Sequence, residues 1–298
     1  MKYFVVRGET RRLDDVTRAE LRGDFLACSD GITHYEVAGP AGGETVVCAG
    51  GMTVPLFYWD QLASELHSRG FRTVTYSAYG RGYSDRVETT YDEALFVRQL
   101  ADLTERLELS EPFHLVGTSL GALVSMAFCQ RYAERIATLT LAGPAGLQPA
   151  PPATALLRRK KLGTLLAKKL GSTMLDRHLS HNVRSPQQSA ALSTMVRECY
   201  RFEGSIYALA ATIADFPLSA RQDLYRSAGL LRIPKMLLWG DEDQVTPIAH
   251  LDEVYSLLAP TESHVISPCG HMVPYEEPIR MSERFAAFVE AATKGSPR

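Results

Sequence analysis

Ser119 lies between Gly117 and Gly121 in the pattern Gly-x-Ser-x-Gly. Composition alone produces this pattern in roughly one chain in ten of this length, so its surroundings decide what it means. The run "FHLV" before it predicts a buried strand, and "LGALVSMAF" after it predicts a helix. A serine on so tight a turn has a positive φ, and glycine on either side avoids a clash between strand and helix. Because the turn lifts the hydroxyl to a helix N-terminus, we interpret Ser119 as a nucleophile.

A serine nucleophile needs a base that takes its proton and a third group that orients the base. His271 lies in a loop directly after a predicted strand, at the sheet edge where we also expect the serine turn, and we interpret it as the base. We predict structural roles for the other seven histidines: His34, His114 and His264 in strands, His67 and His250 in helices, and His178 and His181 in an inserted segment. Three carboxylates of the loop "GDEDQVTP" compete for the orienting role: Asp241, Glu242 and Asp243.

Apolar, β-rich runs alternate with helical patterns along the chain, which is typical of a mostly parallel sheet with helices on both faces. The predicted strands are 44–51, 71–80, 113–119, 136–144, 235–243 and 263–270. Between them, residues 91–109 predict an amphipathic helix. The helix after Ser119 is apolar nearly all round until Gln130, so we expect only its far end to reach solvent.

One interval is too long for an ordinary connection in such a sheet. About 90 residues separate Pro144 from Pro234, where a helix and two short loops would be enough. This interval predicts an inserted helical cap. We therefore divide the chain into an N-terminal core part (1–145), a cap (146–232) and a C-terminal core part (233–298).

These motifs resemble the α/β-hydrolase fold superfamily, in particular its lipase-like and esterase-like members with a helical cap. In that family the orienting acid follows a strand in the pattern Gly-x-x-Asp, then an apolar residue and a proline, which maps onto Gly240 and Asp243. Some members carry the acid after the strand that follows the nucleophile, but residues 142–144 read Ala-Gly-Pro here. The resemblance therefore implies a catalytic triad of Ser119, Asp243 and His271, in the family's chain order.

The resemblance also implies an oxyanion hole made of two backbone N–H groups. Leu120, directly after the nucleophile, supplies one. Family members usually carry His-Gly-X after an early strand, and the third residue supplies the second N–H, which maps onto Met52. Gly50 stands in place of the family's histidine, so the support of this loop must differ. The stretch "YGRGYSDR" (79–86) resembles a structural turn near the oxyanion loop.

Composition excludes several other classes of protein. A formal net charge of −2 gives no basic surface of the kind that binds nucleic acid. The N-terminal apolar run is too short for a signal peptide, and no stretch is long enough to span a membrane, so we expect a soluble, cytoplasmic protein without stable membrane insertion. Five scattered cysteines predict buried reduced thiols rather than disulfides or a metal site, although Cys269 lies close to His271. No cofactor is implied, and nothing indicates an oligomeric state.

The cap carries a basic stretch without an intervening acid: Arg158, Arg159, Lys160, Lys161, Lys168 and Lys169. Six leucines accompany it: Leu156, Leu157, Leu162, Leu165, Leu166 and Leu170. The stretch could face lipid or an anionic acyl substrate, but a solvated helix face is the simpler interpretation. We expect its apolar side to close over the active site.

The leading functional hypothesis is a cofactor-free serine hydrolase that cleaves a small apolar carboxylic ester. Thioesterases, lactonases and carbon–carbon hydrolases share the triad and remain alternatives. "LAGPAGL" resembles the carbon–carbon hydrolases, which typically have an aromatic residue directly after the histidine, whereas Met272 stands there. Ser119 disfavours haloalkane dehalogenases and epoxide hydrolases, which have aspartate at that position. A ligand receptor that has lost turnover is the alternative outside enzymes.

Overall fold

A sheet of eight strands forms the centre of the computed structural model, which describes residues 1–150, 152–179 and 183–295. The strands are β1 (Asp24–Ala27), β2 (Ile32–Ala38), β3 (Thr45–Ala49), β4 (Arg72–Tyr76), β5 (Phe113–Thr118), β6 (Ile136–Ala142), β7 (Lys235–Gly240) and β8 (Glu262–Ile266). Their order across the sheet is β1-β2-β4-β3-β5-β6-β7-β8. β2 is antiparallel to both of its neighbours, and the strands from β4 to β8 are parallel. The predicted α/β-hydrolase architecture is confirmed.

Helices cover the sheet and build the cap. Within the described residues they are α1 (Asp15–Ala19), α2 (Asp60–Ser68), α3 (Glu93–Arg106), α4 (Leu120–Arg131), α5 (Pro152–Leu157), α6 (Lys160–Leu179), α7 (Pro186–Cys199), α8 (Ser205–Asp215), α9 (Gln222–Gly229), α10 (Leu251–Leu258), α11 (Val273–Glu276) and α12 (Pro278–Gly295). None of these described helices is both long and apolar enough to cross a bilayer.

Every predicted strand is present, in each case shorter than the apolar run that indicated it. β1 and β2 come from a segment without predicted strand boundaries; β1 has no fully buried residue, and in β2 only Thr33 and His34 are buried. This is typical of strands at the antiparallel edge of a sheet, which lack the continuous apolar run of a buried parallel strand. His34 and His114 lie in β2 and β5, as predicted.

The helices predicted at residues 91–109 and directly after Ser119 are confirmed. α3 lies within the predicted range, and the Asp92 side chain caps it by accepting the N–H of Leu95 at 2.9 Å. α4 is buried on all sides from Leu120 to Cys129, and only its end at Gln130 and Arg131 is exposed. This helix therefore runs through the middle of the molecule.

The segment between β6 and β7 is helical, as expected. α6 packs against α8, and α5 packs against both of them, whereas α9 packs against the core helices α4 and α10. The N-terminal residues, for which the sequence predicted no structural element, form hydrogen bonds with this segment. The Glu9 carboxylate accepts the N–H groups of Gly204 at 3.1 Å and Ile206 at 2.7 Å, at the N-terminus of α8.

Candidate active site

Ser119 lies on the turn between β5 and α4 with a φ of 53°, as the sequence predicts. A side chain at Gly117 would place its Cβ 2.7 Å from the carbonyl oxygen of Gly121. A side chain at Gly121 would place its Cβ 2.1 Å from the carbonyl oxygen of Ala49, at the end of β3. Both glycines are therefore required, and the second one lets α4 approach a neighbouring strand as well as its own.

His271 and Asp243 meet in the loops that follow β8 and β7. The Nδ1 atom of His271 lies 2.7 Å from Oδ2 of Asp243, and both side chains are fully buried. Because a carboxylate only accepts hydrogen bonds, Nδ1 carries the proton and Nε2 is left as an acceptor. The pair therefore has the tautomer that a general base acting through Nε2 needs.

Thr246 fixes the Asp243 carboxylate, a role that the sequence did not reveal. Its N–H and the N–H of Val245 each donate to Oδ1 at 2.8 Å, and its hydroxyl donates to Oδ2 at 2.7 Å. The carboxylate therefore has partners on both oxygens and one orientation. The short separation of Thr246 from Asp243 was the available signal, since a threonine after an acidic loop residue is placed to donate to it.

Two other carboxylates hold the loop that carries His271. Glu276 accepts the N–H of Gly270 at 3.1 Å and that of Met272 at 3.0 Å, one on each side of the histidine. Asp241 accepts the N–H of Cys269 at 3.0 Å. Asp241 therefore positions the histidine loop and does not contact the imidazole, whereas the remaining carboxylate of the acid loop, Glu242, pairs with Arg184 of the cap segment at 3.0 Å.

The Ser119 turn and the histidine loop converge at the end of β6. The N–H of Ser119 donates to the carbonyl of Ala142 at 3.2 Å, and a Cβ on the next residue, Gly143, would lie 3.2 Å from His271 Nδ1. The Nε2 atom of His271 is buried and has no hydrogen-bond partner among the described residues. Hydrogen bonds between nucleophile and base are often long without substrate and tighten when it binds.

Leu120 and Met52, the residues predicted to form the oxyanion hole, lie next to Ser119 and on the wall of its cavity. Leu120 is the first residue of α4, so its N–H has no acceptor within the helix. The loop after β3 passes on the other side, where a Cβ on Gly51 would lie 3.4 Å from Cβ of Ser119. Met52 follows in this loop and lines the same cavity as Ser119. The structure therefore places Leu120 next to Ser119 and Met52 on the wall of the same cavity, and their roles as oxyanion donors stay a prediction.

Arg81 holds the loop after β3 that contains Met52. The Arg81 guanidinium is fully buried, and its Nε donates to the carbonyl oxygen of Met52 at 2.6 Å. Its other nitrogens donate to the carbonyl of Tyr79 at 2.8 Å and the hydroxyl of Thr212 in α8 at 2.9 Å. The glycine-rich turn 79–86 is thus structural, as predicted, and connects the loop at Gly50 with the cap.

A cavity of about 550 Å³ leads to Ser119 and has the size of a small-molecule site. Its walls are mostly apolar and come largely from the cap segment: Leu147, Leu157, Met174, Ile213, Phe216 and Leu218. Of the leucines in the basic stretch, Leu157 closes over the site as expected. That expectation is wrong for Leu156, Leu162, Leu165 and Leu170, which are exposed.

Two histidines with predicted structural roles also line this cavity, namely His178 of α6 and His250. Burial, with the nearby His271 imidazole, lowers the pKa of His178 to about 4. His178 is therefore neutral near pH 7 and can accept or donate a hydrogen bond inside the cavity. The position of His178 on the cavity wall was not predictable, because the sequence does not show which face of α6 points inward. His181, the other histidine predicted to lie in the cap, lies outside the described residues.

Cys269, close to His271 in sequence, is a buried thiol whose pKa is raised by burial. Such a thiol is protonated and unreactive near neutral pH. Among the described residues, no three His, Cys, Asp or Glu side chains converge in a way that could bind a metal ion. Cys269 therefore supplies no thiolate beside His271.

Comparison with known proteins identifies the family and the fold. The α/β hydrolase fold family matches residues 45–278. Monoacylglycerol lipase ABHD6 of Bos taurus is 26% identical over 65% of this chain, which covers 59% of the lipase. A 2-hydroxy-6-oxononadienedioate/2-hydroxy-6-oxononatrienedioate hydrolase of Pseudomonas putida is 25% identical over 82% of this chain and 86% of its own length. A thermophilic esterase from Thermogutta terrifontis superposes with a TM-score of 0.77 at 19% identity, over 91% of this chain and 99% of the esterase. The chain belongs to the α/β-hydrolase fold family.

Proposed function

We propose that this protein is a serine hydrolase that cleaves carboxylic esters with an apolar acyl or alcohol part. Ser119 is the nucleophile, His271 the general base and acid, and Asp243 the residue that orients the imidazole. The backbone N–H groups of Met52 and Leu120 form the oxyanion hole. The observation that carries the proposal is the buried 2.7 Å contact between Asp243 and His271 beside a serine at a helix N-terminus.

The first half of the reaction forms an acyl-enzyme. The Ser119 hydroxyl attacks the ester carbonyl while Nε2 of His271 takes its proton. The carbonyl oxygen becomes an anion, and each N–H donor of the oxyanion hole stabilises the transition state by about 3 kcal/mol. When the intermediate collapses, the carbon–oxygen bond to the alcohol breaks and His271 returns the proton to the departing alcohol.

The second half of the reaction releases the acid. A water molecule attacks the acyl carbon, His271 takes a proton from it, and the second tetrahedral intermediate uses the same two N–H groups. Collapse breaks the bond to Ser119, and His271 returns the proton to the serine oxygen. Asp243 stays ionised throughout and stabilises the imidazolium that forms twice in each cycle.

The shape of the cavity supports an apolar substrate. Its cap wall contains leucine, methionine, isoleucine and phenylalanine side chains, and this mostly apolar lining favours burial of a hydrocarbon group. The relative described as a monoacylglycerol lipase supports an ester with an aliphatic chain. We therefore propose aliphatic acyl esters as the substrate class.

A carbon–carbon hydrolase is the second candidate, because the Pseudomonas putida hydrolase aligns with more of this chain than the lipase does. Against this candidate, the residue after the histidine is Met272, a buried side chain without an aromatic ring. A substrate of that class is a conjugated dienone, and loss of its absorbance would report the reaction. Dienone turnover that exceeds ester turnover would replace the ester assignment.

The direct test is hydrolysis of p-nitrophenyl butyrate by the wild type and by Ser119→Ala. We expect the variant to lose activity by a factor of about 10⁴ or more, because no other group takes the acyl chain. A fluorophosphonate probe should label the wild type at Ser119 and leave the variant unlabelled. Full hydrolysis by Ser119→Ala would disprove the nucleophile, and a folded wild type without adduct would favour a non-catalytic receptor.

A further inference from the structure

The outer surface of α5 and α6 combines exposed leucines with positive charge. Leu156, Leu162, Leu165 and Leu170 are 42%, 38%, 63% and 45% exposed. They lie within 15 residues of sequence, whereas the other large apolar side chains that are exposed in the described part of the chain are scattered. Arg159, Lys161, Lys168 and Lys169 are exposed among them. We call these eight residues the cap patch.

The charge of this region differs from that of the chain as a whole. The sequence has no Asp or Glu from Ile136 to Leu175, a range that includes six Lys and Arg residues, in a chain with a formal net charge of −2. Because like charges without intervening acids repel one another, the region gains stability from an anionic partner. Nucleic acid alone would not account for the leucines, since its phosphates offer no apolar surface.

The cap patch lies on the opposite side of the same helices from the cavity. On their inner side Leu157 is 4% exposed and lines the cavity, together with Met174 and His178. On the outer side, exposed leucines and exposed lysines both occur in the first half of α6, between Lys161 and Leu170. The thickness of a helix, about 10 Å, therefore separates the patch from the cavity that leads to Ser119.

We propose that the cap patch binds peripherally to an anionic lipid bilayer. The four leucines enter the boundary between headgroups and acyl chains, and the surrounding cations contact lipid phosphates. A bilayer is the partner that matches both features at once, because it offers apolar volume directly beneath a layer of negative charge. Binding itself is independent of the proposed function. The further consequence, that lipid esters reach the cavity from the bilayer, rests on that function.

Sedimentation with vesicles tests the proposal. Every variant is made in the Ser119→Ala protein, so that the lipid is not hydrolysed during the measurement. We expect this protein to sediment with vesicles of phosphatidylcholine and phosphatidylglycerol, to bind pure phosphatidylcholine at least about tenfold more weakly, and to dissociate as salt increases. Leu162→Gln with Leu165→Gln, and separately Arg159→Gln with Lys161→Gln and Lys169→Gln, should each lower the partition coefficient at least about tenfold. Glutamine preserves helix propensity at these exposed positions.

The control carries the same kinds of substitution outside the patch, one leucine and two arginines together: Leu230→Gln with Arg226→Gln and Arg232→Gln, all at exposed residues. It should bind vesicles as the parent does. The proposal is overturned if the parent does not sediment with anionic vesicles, if binding does not depend on salt, or if patch and control variants lose binding equally.

Soluble ester hydrolysis separates this proposal from the proposed function. With Ser119 restored, the patch variants should hydrolyse p-nitrophenyl butyrate within about twofold of the wild type, which also shows that they fold. If the protein binds vesicles but has no esterase activity, the proposal for the cap patch stands and the proposed function is refuted. If it has esterase activity but does not bind vesicles, the proposed function stands and the proposal for the cap patch is refuted.

Discussion

The sheet edge that carries the candidate triad and the cap that covers it are stabilised in different ways. At the edge, polar atoms are buried and paired: Asp243 makes hydrogen bonds with three residues, and Glu276 holds the backbone on both sides of His271. On the outside of the cap the ion pair between Arg197 and Asp176 is exposed, and four leucines face outward. Exposed pairs contribute at most about 1 kcal/mol each.

This difference assigns separate tasks to the two regions. Reaction chemistry needs groups held within a fraction of an ångström, which buried hydrogen bonds provide. Choice of substrate needs a wall whose side chains can change without loss of the fold, and the cap offers such a wall. Substitutions at the edge should therefore act on kcat, and substitutions in the cap on substrate preference and surface binding.

The largest effect that we expect at the edge comes from Asp243→Asn. The amide keeps the size of the carboxylate but cannot stabilise the imidazolium or keep the proton on Nδ1, so kcat should fall roughly 10⁴-fold. Glu242→Gln is the control, because this neighbouring carboxylate is exposed and pairs only with Arg184 among the described residues. Steady-state hydrolysis of p-nitrophenyl butyrate measures both. Equal activities would place the orienting acid elsewhere.

A smaller effect should follow from Arg81→Met, which removes the hydrogen bond to the carbonyl of Met52. The oxyanion loop then loses its anchor, and kcat should fall about 10- to 100-fold with a smaller change in KM, because the donor acts in the transition state. Arg81→Lys should restore part of the lost kcat. This residue connects the edge with the cap through Thr212, so its variant also tests how independent the two regions are.

Arg86→Met is the matched control for the loss of a buried arginine. Arg86 is buried as well, and it donates to the carbonyls of Gly82 and Cys199 rather than to the oxyanion loop. Both variants should lower the free energy of unfolding, but only Arg81→Met should lower kcat per folded molecule. Equal losses of kcat would reduce Arg81 to a structural role.

The placement of the candidate site residues was predictable because their signals are local. Glycines two positions on either side of Ser119 indicated the turn, and the apolar runs before it and before His271 placed both at one sheet edge. The parallel strands were equally predictable from the sequence, because strands that are buried on both faces are continuous apolar runs. For Asp243 the residues alone left three carboxylates open, and the resemblance to a family chose among them.

The supporting contacts were not predictable, because they join residues that are distant in sequence. Arg81 and Met52 are 29 positions apart, and Arg81 and Thr212 are 131 apart. The cap helices posed a second problem, since α6 has apolar side chains around most of its circumference and no periodicity reveals its inner face. This is why His178 was assigned a structural role and why four leucines were expected to face the cavity.

The smallest effect that we expect concerns the pH dependence of stability. The pKa of His178 in the cap and of His34 in the core is lowered to about 4 from the ordinary 6.5, mainly by burial. Below pH 6.5 the unfolded chain binds protons that the folded chain does not, so each histidine makes the protein less stable as the pH falls from 6.5 towards 4. Thermal unfolding followed across this range should show His178→Gln with a shallower fall in Tm than the wild type.

His34→Gln is the matched core variant. Its Tm should fall with pH as gradually as that of His178→Gln but should be lower at every pH, because His34 also forms hydrogen bonds with Ser77 and with the carbonyl of Arg22. If His178→Gln falls as steeply as the wild type, His178 does not contribute to the acid sensitivity of the folded protein.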